Sequence, residues 1–85
     1  SAPDRAVQEE LEGDTSFSRA ELEAALDRLT PEAARTIRAK HFEGLDFEGI
    51  ATRAGLPLNT VKARYYRGLA RLREILDREL RRKGA

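Results

Sequence analysis

The chain has 85 residues, 36% of them charged and 40% hydrophobic, with a formal net charge of +1 and no cysteine. That length makes one small domain burying only about 60% of the surface its unfolded chain exposes. The lack of cysteine excludes disulfide staples, thiol sensing and cysteine-rich zinc sites and fits a reducing cytoplasm.

The small net charge hides an asymmetry. Residues 1–32 carry nine acidic and three basic side chains, and residues 33–85 carry six acidic and thirteen basic, so the halves are net minus six and plus seven. No apolar stretch approaches the ~20 residues that span a bilayer, and no secretory apolar core is visible, so no membrane insertion is expected.

Residues 1–17 include five acids, Pro3 and Gly13, with Ala6, Val7 and Leu11 too sparse to fix a core. They read as an acidic linker or fraying tail; the folded unit is expected over 18–85. Ser18 followed by Glu21 spells a capping box, in which hydroxyl and carboxylate each satisfy an orphan amide of the first turn. Leu22, Ala25, Leu26 and Leu29 form an apolar stripe behind it, which predicts a first helix running to about Leu29. Thr30 and Pro31 then give an N-cap followed by proline in the first turn. Ala34, Ile37 and Phe42, with Ala33 or His41 beside them, supply the stripe of a second helix ending near Gly44.

Asp46 caps a third helix that is expected to carry Phe47, Ile50, Ala51 and Ala54 inward. Gly55 can stop it in a left-handed conformation at no steric cost. Pro57 is tolerated at the start of a further helix because the amide it lacks has no intrahelical partner there. At about 100° per residue, Leu58, Val61, Tyr65, Leu69, Leu72 and Leu76 share one stripe of that last helix, which extends past Ile75 toward Leu80. Asn59, Thr60, Ala63 and Arg67 fall opposite. The fold class is therefore all-α: a small four-helix domain containing a helix-turn-helix, with no convincing strand.

Residues 58–73 hold Lys62, Arg64, Arg67, Arg71 and Arg73 and no acid, the local footprint of a polyanion partner. Most basic runs are solvated faces, but a solvated face needs neither a glycine turn, nor a proline start, nor a complete apolar stripe on the other side. Lys62 and Arg67 are candidates for guanine edges, Asn59 for adenine, and the methyls of Thr60 and Ala63 for thymine. Tyr66 sits at the border of the two faces, while Tyr65 belongs to the core. His41, the single histidine, reads as an interhelix or surface residue rather than as part of a metal site with Glu43, Asp46 and Glu48. No phosphate-cradling glycine loop, paired nucleophile or metal-ligand spacing appears, so neither catalysis nor a cofactor is expected.

With these landmarks placed, residues 22–76 resemble region 4 of bacterial sigma factors, most closely the extracytoplasmic-function group. The resemblance is carried by Leu29-Thr30-Pro31 with Arg35, by the connection from Phe42 to Phe47, by Gly49-Ile50-Ala51, and above all by Pro57-Leu58-Asn59-Thr60-Val61-Lys62-Ala63-Arg64. It implies a four-helix unit whose recognition helix enters the major groove of the promoter −35 element while another surface docks on the flap of core RNA polymerase. An anti-sigma factor is a further implied partner, and the cytoplasm the implied location. By position, Thr60, Lys62, Ala63, Tyr66 and Arg67 fall at the groove, and Arg64 and Arg71 on backbone phosphates. The family often has Gly at position 59, Ser at 63 and Arg-Ala-Arg where this chain has Arg67-Gly68-Leu69, so base preference does not carry over. Gly68 in mid-helix implies either close packing or a bend. The competing class is a stand-alone helix-turn-helix regulator that binds two half-sites as a dimer.

Overall fold

A computed structural model describes residues 17–84 of the protein. Four helices follow in chain order: α1 (Arg19–Leu26), α2 (Pro31–His41), α3 (Phe47–Ala54) and α4 (Leu58–Gly84). All of the expected linker but Phe17 lies outside the described residues. Phe17 itself belongs to the core, being only 8% exposed, with the Lys83 ammonium 4.7 Å from its ring centroid. The folded unit thus takes in one residue that the acidic surroundings had assigned to the tail.

Local chemistry sets the helix starts. The Glu21 amide donates to Ser18 Oγ and the Ser18 amide to Glu21 Oε1, both at 3.1 Å, completing the capping box. Thr30 Oγ1 accepts from the Ala33 amide at 3.3 Å, with Pro31 opening α2. Asp46 Oδ1 accepts from Gly49 at 2.7 Å.

Two helix ends differ from expectation. α1 stops at Leu26, short of Leu29, because the Arg28 and Leu29 amides bond to carbonyls only three residues back; a tightened turn of this kind cannot continue as α-helix. Thr30 must in any case be extended ahead of proline and to cap α2. α2 stops at His41, with Phe42 as its C-cap and Gly44 left-handed at φ 74°.

α4 is the spine. Its 27 residues, at about 1.5 Å rise each, account for the 43 Å long dimension of the molecule. Val61, Tyr65, Leu69, Leu72 and Ile75 are buried to within 2% and pack against Leu26, Ile37, Phe47 and Ile50. The expected α4 stripe is present, joined by Gly68 and Ile75, with Leu58 half-buried at its start. α4 runs past Leu80 as expected, to Gly84, with Leu80 itself 46% exposed. Two inward expectations change. Ala54 is exposed because α3 ends there. Ala51 is only half-buried.

Gly68 serves close packing rather than a bend, since a Cβ on it would lie 3.0 Å from Ala33 Cβ and 3.2 Å from Ile37 Cδ1. Buried Thr36, absent from the expected stripe, donates its hydroxyl to the Glu32 carbonyl of its own helix at 2.8 Å, so its burial leaves no polar group unsatisfied. Arg38 ties α2 to α1 through Glu23 at 2.8 Å and Asp27 at 2.9 Å. Lys83 ties the far end of α4 to α1 through Glu21 at 2.6 Å.

Candidate nucleic-acid interface

Two helices and one left-handed glycine set the interface. Gly55, at φ 68° and ψ 36°, ends α3. Its amide and that of Leu56 bond back to Thr52 and Ala51. Pro57 then offers its carbonyl to the Thr60 and Val61 amides at 3.1 and 3.2 Å, starting α4. Ile50 of α3 and Val61 of α4 are both buried in the same core, so the turn fixes the relative placement of the helices. Arg53 braces the unit from outside, donating to both carboxylate oxygens of Glu43 at 2.7 and 3.2 Å. The hydrogen bonds from Arg53 hold the Glu43 carboxyl below the ordinary carboxylate range.

Burial of Val61, Tyr65 and Leu69 decides which face of α4 turns outward. Asn59, Lys62, Ala63 and Arg67 are exposed, while Thr60 and Arg64 are half-buried at the borders of that face. These six and Tyr66 come together over the first three turns of α4. Tyr66 is 38% exposed, yet its ring stands edge-on to Tyr65 at 5.0 Å and lies 6.0 Å from Phe47. It therefore packs and is accessible at once. Arg71 lies one turn further on and engages Glu74 of its own helix at 3.1 Å. Beneath this face, Tyr65 is fully buried with its hydroxyl 2.6 Å from His41 Nε2, so the single histidine joins α2 to α4 as an interhelix residue.

Two cations at the interface were not singled out by sequence reasoning. The Lys40 ammonium sits 5.0 Å from the Phe47 ring centroid, and that of Lys62 lies 5.9 Å from the same ring, so α2 and α4 both present a lysine beside the start of α3. Arg28, in the turn between α1 and α2, lines a cleft of about 550 Å³ together with Arg64, Arg67 and Arg71. Neither has a signal in the sequence beyond its charge, because both are brought there by packing of distant elements. Among the described residues, no helix is long and apolar enough to cross a membrane.

A helix-turn-helix whose second helix buries one face and offers a basic, acid-free face over its first half defines a helix-turn-helix DNA-binding module. The chain belongs to the sigma-70 region 4 family, whose model matches residues 19–72. It is also 42% identical over 57 residues to the ECF RNA polymerase sigma factor SigE of Mycolicibacterium smegmatis, a match covering 67% of this chain and 22% of that protein. The chain thus spans about a fifth of the length of the curated relative that it matches. No solved structure gives a significant match.

Proposed function

We propose that this domain recognises the −35 element of promoters for an alternative sigma factor of the extracytoplasmic-function group, with α4 in the major groove and another surface docked on the flap of core RNA polymerase. The observation that carries this reading is the outward face of Asn59, Lys62, Ala63 and Arg67 standing opposite a stripe no more than 2% exposed. A helix so anchored cannot turn about its own axis, so these residues keep the outward face. Phosphate contacts position such a helix, and contacts with base edges supply specificity. In this reading Lys62 and Arg67 meet guanine, Asn59 meets adenine, and Thr60 and Ala63 offer methyl groups to thymine. Arg64 and Arg71 meet phosphates, and Tyr66 presses on the sugar-phosphate edge. An anti-sigma factor that covers the domain, and a cytoplasmic location, belong to the same reading.

Family membership favours this over a stand-alone dimeric regulator. The test is capture of purified core RNA polymerase by the tagged domain, with footprinting at candidate −35 sites. The expected result is polymerase capture and protection of a single short site. A domain that dimerises, ignores polymerase and protects two half-sites would overturn the proposal.

A further inference from the structure

We propose that Arg28 adds a phosphate contact to those of Arg64 and Arg71 on the same duplex, across a cleft that Arg67 of the recognition face also lines. This rests on the DNA-binding reading above. The cleft, about 550 Å³, lies between the α1–α2 turn and the middle of α4, with Gly68 in its wall. Three arginines come from one side of α4, at spacings of three and four residues that place them on adjacent turns. The fourth comes from a turn 36 residues earlier in the chain.

Bringing four guanidinium groups to one cleft is unfavourable unless something negative is placed among them. Glu32 is the acidic side chain lining the cleft, and Arg71 has Glu74 beside it at 3.1 Å. Among the described residues, Arg28, Arg64 and Arg67 enter no ion pair. Thr30 and Ala33 of the first turn of α2 also line the cleft, adding the positive end of an eleven-residue helix to the same space. Planar guanidinium forks suit phosphodiester oxygens.

The occupant is the backbone of the duplex that α4 enters rather than a separate ligand, because the cleft is continuous with the recognition face. Arg67 belongs to both, and Arg64 borders both. Arg28 is exposed and sits beyond the end of α1, so replacing it leaves the core untouched.

The test uses the full chain and fluorescence anisotropy with two duplexes of equal length, one bearing the −35 site and one shuffled, over a salt series from 50 to 200 mM. One lost phosphate contact should lower the slope of log affinity against log salt by about 0.9. Over that fourfold range the wild type should then lose about threefold more affinity than Arg28→Ala. Arg28→Ala should weaken both duplexes by the same factor, and Arg28→Lys should restore most of the slope, since a point charge still displaces a counterion. An unchanged slope in folded Arg28→Ala, with wild type still preferring the −35 duplex, overturns the cleft proposal alone. Absence of that preference in wild type overturns the DNA reading itself.

Discussion

Adding one methyl group at position 68 sets two known effects against each other. An alanine in mid-helix is favoured over glycine by about 1 kcal/mol. Against this, the new Cβ would sit 3.0 Å from Ala33 Cβ, 3.2 Å from Ile37 Cδ1 and 3.7 Å from Ala33 Cα, whereas carbon atoms rest at roughly 3.5–4.0 Å. The tip of Ile37 can turn, but Ile37 is 2% exposed and has little room. Ala33 Cβ is fixed to the α2 backbone, so relief there means moving α2 away from α4 against their shared core and the 2.6 Å hydrogen bond between His41 and Tyr65. Overpacking of this kind costs about 1–3 kcal/mol. Gly68→Ala should therefore be destabilising by roughly 0–2 kcal/mol net, a fall in Tm of up to about 16 °C for a domain of this size. Thermal melting followed by circular dichroism, with urea titration, reads the change. Ala33→Gly alone costs about 1 kcal/mol of helix preference, and the double variant should be less destabilised than the sum of the two single changes, a coupling of about 1 kcal/mol. A Gly68→Ala variant that melts higher than wild type, with strictly additive effects in the double variant, would refute close packing as the role of this glycine.

Gly55→Ala meets no atom within 4 Å, so its cost is conformational, from the φ of 68°. We expect a loss of about 1–2 kcal/mol in urea titration; unchanged stability would mean that the turn does not need the left-handed residue. For the Glu43–Arg53 pair, the lowered Glu43 carboxyl means that its stabilising effect is fully present at neutral pH. That effect is lost as pH falls below the ordinary glutamate value of about 4.3 and through the lower folded-state value. Wild type should out-melt Glu43→Gln at pH 7 and low salt, with the gap closing in acid and at high salt. A gap that persists at pH 2 would assign it to something other than charge.

Much of the fold was legible because the helix starts are written in local chemistry. Ser18 with Glu21, Thr30 with Pro31, Asp46 and Gly55 each act within four residues of themselves. Helix ends and outer limits of burial were less so, since they depend on partners. Periodicity carries Ala54 onward as core, but α3 ends there and leaves it exposed. Phe17 was hidden in acidic surroundings because Lys83, which reaches its ring, comes from the other end of the chain. Thr36 was passed over as polar, although its own helix satisfies its hydroxyl. At the interface, the split between Val61, Tyr65 and Leu69 inward and Asn59, Lys62, Ala63 and Arg67 outward was readable from angles alone. The positions of Arg28 and Lys40 were not, because only tertiary packing brings either residue to α3 and α4.

The outward face of α4 as a reader of bases is tested most directly by Arg67→Ala. Its affinity is compared with wild type on a −35 duplex and on a shuffled duplex of equal length, by fluorescence anisotropy at one fixed salt concentration. Base readout predicts a loss of about 1–3 kcal/mol on the −35 duplex and little on the shuffled one. Equal losses on both would contradict it and leave Arg67 a phosphate contact.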